Sequence, residues 1–105
     1  MVKNMNVALR QFNGAAIVVT ETIDGKEVHH PALICDQVGQ ALWQYANADD
    51  TPEERYRAFK IAQRIAANPE AVDLSSDDVV LLKRRIAPVF APGIYGQIVE
   101  LLENE

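Results

Sequence analysis

The stretch Ala15–His30, AAIVVTETIDGKEVHH, decides the fold class. It is rich in β-branched residues, and Asp24-Gly25 at its centre is the kind of dipeptide that tolerates positive φ at both central positions of a type I′ turn. It therefore reads as a β-hairpin over about residues 15–30, with Pro31 closing the second strand. A two-stranded sheet is marginal by itself in water. Its apolar face must lie on helices, or its edge must be paired with another chain.

Downstream the period changes from strand to helix. Ile34, Val38, Leu42 and Tyr45 recur in steps of four and three with Ala41 beside them, which predicts a helix over about 32–46 and leaves Trp43 off the stripe. Asn47, Asp49 and Asp50 form a polar break. Thr51-Pro52-Glu53-Glu54 then supplies an N-cap threonine, a proline at N1 and a glutamate at N3. The helix it opens should run from Pro52 to about Ala67, bury Phe59, Ala62 and Ile65, and end at Asn68-Pro69. Leu74-Ser75-Ser76-Asp77-Asp78-Val79 repeats the logic, with Ser75 as cap, Asp78 at N3 and Leu74 stapled to Val79. Val79, Leu82 and Ile86 line that helix and Pro88 stops it. Pro92 opens a last helix carrying Ile94, Ile98 and Leu101.

Upstream, Met5, Ala8, Leu9 and Phe12 keep the spacing of one helix face, with Asn4 as N-cap and Gly14 as stop, so a short first helix is expected over residues 4–12. Val7 and Phe12 also suit an extended start. The chain is expected to be one α+β domain, residues 1–105. In it the N-terminal short helix and the β-hairpin pack on a bundle of about four short helices, the helical part covering about 32–103.

With 105 residues and 49% hydrophobic content, one continuous core suffices, and self-association into a homodimer would add to a modest stability. Fifteen acids against ten bases give a formal charge of −5, which disfavours general affinity for nucleic acid. An acidic surface serves solubility first, and mimicry of nucleic acid toward a basic protein second. Cys35 is the only cysteine, so no internal disulfide forms and a reducing compartment is expected. The opening MVKNMNVALRQFNG does not read as a signal peptide, and no stretch approaches about 18 apolar residues. The expectation from these features is a cytoplasmic protein without membrane contact.

The residues that carry chemistry elsewhere have structural readings here. Cys35 lacks a sequence-visible base and reads as a buried apolar thiol. His29 and His30, adjacent in a strand, point to opposite faces and cannot readily hold one metal. Glu53, Glu54, Asp77 and Asp78 sit in first turns of helices, where the macrodipole favours negative charge. Gly93 and Gly96 lack the phosphate-loop spacing and read as points of close helix packing, and Ser75 and Ser76 have no paired base. No catalytic residue, cofactor or metal is expected. Lys83-Arg84-Arg85 is the best basic patch and, with Arg55, Arg57 and Arg64, the one candidate for a phosphate backbone. For protein binding the candidates are the hairpin edge, Thr20, Glu21 and Glu27, and the aromatic anchors Trp43 and Tyr95, each of which also suits the core.

The order Asp24-Gly25-Lys26, Ala41-Leu42, Glu54 to Ile61-Ala62, Val72-Asp73-Leu74-Ser75, Lys83, and Gly96-Gln97 through Leu101-Leu102-Glu103 resembles a group of small tailed-phage and prophage proteins across residues 24–103. The resemblance implies a phage or prophage origin and carries over no catalytic residue. Three functions follow as expectations. The first is a non-enzymatic accessory of virion head or tail assembly that binds another phage protein. The second is an anti-CRISPR-like inhibitor of a bacterial defence complex, and the third an enzyme or nucleic-acid-binding regulator.

Overall fold

Asp24 and Gly25 take φ of 51° and 77°, and the hairpin forms around them as the turn demands. In the computed structural model, which describes residues 1–104, β2 (Val18–Ile23) pairs antiparallel with β3 (Lys26–Pro31), Ile23 opposite Lys26 and Val18 opposite Pro31. Four helices follow: α1 (Ile34–Gln44), α2 (Pro52–Ala67), α3 (Ser76–Ile86) and α4 (Pro92–Glu103). A second small sheet joins β1 (Val2–Lys3) to β4 (Val72–Asp73), antiparallel. Among the described residues the fold is α+β, with four helices and two small antiparallel sheets.

The expected N-terminal helix is absent. Residues 1–10 run extended, and their backbone is used by other elements. The Met5 N–H donates to Pro69 O at 2.7 Å and the Leu9 N–H to Ala32 O at 2.8 Å. The carbonyls of Met5 and Val7 accept from Cys35 N and Ile34 N, each at 2.8 Å. These are free amides at the start of α1, whose N-cap Leu33 has no side chain able to satisfy them. Asn4 caps only a local turn, accepting from Asn6 N at 2.9 Å. Met5 and Leu9 are buried, but Phe12 stands fully exposed at the tip of the turn that ends at Gly14.

The N-cap of α2 forms without the return bond from the Glu54 side chain that would complete a capping box, whereas α3 is capped in full. Thr51 Oγ1 accepts from Glu54 N at 3.1 Å. At α3 the capping box is complete, Asp78 N donating to Ser75 Oγ and Ser75 N to Asp78 Oδ2. The core gathers Met5, Leu9, Val38, Ile61, Leu74, Leu82, Ile86 and Ile98, all nearly inaccessible. Each such aliphatic side chain stabilises by about 1.5–3 kcal/mol on burial. On α2 the buried stripe is Ala58, Ile61, Ala62 and Ile65, so Phe59 is displaced to the surface, against expectation. Gly93 and Gly96 are not packing contacts, since a Cβ at either meets open space.

The hairpin reaches the core only at its base, through half-buried Ile17 and Val19. Every residue from Thr20 to His29 is exposed, Ile23 and Val28 included. The radius of gyration, 14.1 Å, exceeds the about 13 Å of a compact domain near this size, as a projecting arm requires. No helix among the described residues is long and apolar enough to cross a membrane.

Candidate functional site

On α2, Tyr56, Phe59 and Lys60 lie beside the buried stripe, in the i, i+3, i+4 relation that puts them on one outward strip. Trp43, near the end of α1, stacks on Phe59 with ring centroids 5.2 Å apart. Phe59 in turn stacks on Tyr56 at 6.2 Å, and the Lys60 ammonium sits 5.6 Å from the Tyr56 ring centroid. The result is a continuous aromatic strip across the α1–α2 seam, with Trp43 61%, Tyr56 60% and Phe59 37% exposed.

From Trp43 a cleft of about 690 Å³ runs between the two helices toward Pro69. It stays open because Gly39, Ala62 and Ala66 line it. A Cβ at Gly39 would stand 3.9 Å from Ile65 Cγ2, an ordinary contact. Cys35 lies at the far end of the cleft, and burial pushes its thiol up, so the protonated form dominates at neutral pH. Of the α2 cations, Lys60 lies over Tyr56 and Arg55 lines a hollow beside Trp43 and Phe59 while facing Asp50 at 3.9 Å, and the cleft itself is lined by Asp36 and by no Lys or Arg.

The Lys83-Arg84-Arg85 run forms no common face. Lys83 pairs with Glu103 on α4, whose carboxyl it holds below its ordinary range. Arg84 donates to Glu54 at 2.6 Å, which also draws that N3 carboxylate away from the Thr51 cap. Arg85 is buried and donates to Asp50 at 2.6 Å and to the Tyr45 carbonyl at 3.0 Å. Arg57 and Arg64 converge instead on Asp78, at 3.4 and 3.1 Å. Burial pushes the Asp78 carboxyl up, but the Ser75 backbone N–H, Arg64 and the Ser75 side chain outweigh it, and the group sits below the ordinary carboxylate range. These cations stitch helices and loops together, and Arg85 cannot reach a phosphate while it holds Asp50.

The other candidates are scattered. Tyr95 is half-buried and packs on the core with Ile94 and Leu101. Thr20, Glu21 and Glu27 are on the exposed arm. Thr20 Oγ1 bonds His29 Nδ1 at 2.9 Å across the strands, and Glu21 reaches His30 at 3.4 Å on the opposite face. Trp43 alone of the expected anchors joins further aromatics, and the two it joins, Phe59 and Tyr56, are not apparent as anchors from the sequence. Placing the α2 stripe at 58, 61, 62 and 65 instead of 59, 62 and 65 reveals them. No protein-family model, curated protein or solved structure matches this chain.

Proposed function

We propose that this chain is a non-enzymatic protein-binding module that docks through the Trp43–Phe59–Tyr56 strip, as an accessory of tailed-phage virion assembly. The observation that carries the binding reading is the strip itself: three stacked aromatic rings left in solvent beside an open apolar cleft. Exposed Trp and Tyr next to a cleft are the side chains that dominate interface energetics when a partner excludes water from them. Lys60 over Tyr56 suits a partner segment with an apolar plug and an acidic flank at that end of the strip. The protonated Cys35 thiol in the cleft favours packing over nucleophilic attack. The virion setting rests on the resemblance over residues 24–103.

The test is affinity capture from phage-infected cells with the wild type and with W43A/Y56A, after both are shown to melt cooperatively. Head or tail proteins recovered by the wild type and lost with the double variant support the proposal. A truncated hot spot costs at least about 2 kcal/mol, roughly thirty-fold in affinity. Equal recovery by both proteins removes the strip from the reading. A host defence complex recovered in a strip-dependent way would replace the virion setting.

A further inference from the structure

The two-residue turn at Asp24-Gly25 makes the flanking pair Ile23–Lys26 a hydrogen-bonded pair, and such pairs alternate along an antiparallel ladder. Glu21–Val28 and Val19–His30 are then hydrogen-bonded as well. They are in phase with the Ala32 N–H bond to Ile17 O, 2.8 Å, at the base. The backbone groups of Glu27 and His29 on β3, and of Val18, Thr20 and Thr22 on β2, consequently point outward. Among the described residues no backbone group outside the hairpin bonds them.

The outward edge of β3 is bounded by the turn on one side and by Pro31, which has no N–H, on the other. Between these limits lies Glu27-Val28-His29, a sequence that is its own complement when run antiparallel. With a two-fold axis through Val28, Glu27 faces the second copy's His29 at hydrogen-bonded sites, twice, and the two Val28 side chains meet on the axis. His29 Nδ1 is already engaged by Thr20 Oγ1, which leaves Nε2 to donate to the opposing carboxylate. Lys26 then faces the second copy's His30, whose imidazole is held by its own Glu21 at 3.4 Å.

Other registers fail on one count or another. An axis through Glu27 opposes two carboxylates. An axis through His29 opposes two imidazoles and sets Pro31 at a hydrogen-bonded site. An axis between residues sets an outward group against an inward one and makes no ladder. On β2, an axis through Glu21 opposes carboxylates, and one through Thr20 supplies no charged complement.

We propose that β3 is a self-association edge, at which two copies of this chain join their hairpins into one four-stranded antiparallel sheet about Val28. This is independent of the α1–α2 strip. It gives the exposed arm the additional strands that a two-stranded sheet in water lacks. The contact is short, so the dimer exchanges with monomer, as small interfaces do.

Sedimentation velocity on the full chain over a wide concentration range tests this. The wild type should dimerise with rising concentration. E27K, which faces a base with a base, should remain monomeric, and exchanging the charges in E27H/H29E should restore the dimer. H29P removes an outward N–H, the imidazole and its bond to Thr20 Oγ1, but no ladder bond within the hairpin, so it should abolish dimerisation with the helical signal and melting cooperativity retained. T20P, on the other edge, should still dimerise. A wild type monomeric at millimolar concentration, a dimer that survives H29P, or one lost with T20P but not with H29P overturns the proposal. Failure of the charge exchange to restore what E27K removes refutes the Val28 register.

Discussion

Removing the Asp50 carboxylate should leave Arg85 charged and enclosed. The two side chains are each only 5% exposed and meet at 2.6 Å, Arg85 also donates to the Tyr45 carbonyl, and its Nε has no partner among the described residues. Together they latch the connection between α1 and α2 onto α3. Breaking a buried pair by removing one partner costs about 3–5 kcal/mol, because the remaining charge is uncompensated. The pair lies under a surface connection rather than in the core, which points to the lower end, about 3 kcal/mol. A domain of this size has about 5–15 kcal/mol in total, and 1 kcal/mol moves the melting point by about 4–8 °C. D50A should therefore melt at least about 12 °C below the wild type. R85M should cost less, about 1–3 kcal/mol, since it removes the unpartnered Nε together with the charge. Asp50 then keeps the Asn47 N–H at 2.8 Å and Arg55 at 3.9 Å. The double variant D50A/R85M should recover part of the loss, since apolar replacement of both partners of a buried pair is often near neutral. Urea unfolding followed by far-UV circular dichroism gives all three values. A cost for D50A below about 1 kcal/mol, or strict additivity in the double variant, refutes the latch.

Acid should unfold the protein through the same groups. Arg85 holds Asp50 below its ordinary range, and Asp78 is likewise depressed. Their stabilisation is thus fully present above the unfolded value, about 3.9, and is lost as pH falls through the lower folded values. D78N should flatten the acid limb of a plot of urea midpoint against pH. His30 behaves in the opposite sense: its bond to the Pro31 carbonyl and its contact with Glu21 raise its pKa. The hairpin gains from this below the unfolded value of 6.5 and loses it as pH rises through the raised folded value, so E21Q should move the His30 NMR titration back down. Among the glycines, G39A and G96A should each stabilise by about 0.5–1 kcal/mol, because both lie inside helices where a methyl group is accommodated. G25A, at φ 77°, should destabilise, and urea midpoints read all three.

Wherever the local chemistry is self-sufficient, the elements are legible in the sequence. Asp24-Gly25, the Thr51 cap with Pro52, the Ser75–Asp78 box and Pro92 each fix a boundary by groups within four residues of one another, and the hairpin, α2, α3 and α4 begin or turn there. The N-terminal segment misleads for the converse reason. Met5 and Leu9 are four apart on a helix but also an even number apart on a strand, and both spacings bury them. What selects the extended form is distant: Pro69, Ala32 and the uncapped start of α1 all bond to this segment's backbone.

The candidate site divides along the same line. That Trp43 lies off the α1 stripe is a matter of helical period and is legible. That Phe59 leaves the core depends on which face of α2 meets α1 and α3, and the choice between 58/61/62/65 and 59/62/65 is made by packing. The Lys83-Arg84-Arg85 run looks continuous along the chain, but successive residues of a helix point about 100° apart, so its members meet Glu103, Glu54 and Asp50 in three directions. Sequence by itself determined the class of the fold, its turn and its caps, because those depend on short-range sterics and hydrogen bonds. Only the tertiary structure decided the path of the N-terminus, the fate of each charge and the aromatics left in water, because burial is a property of neighbours that the chain brings together from far apart.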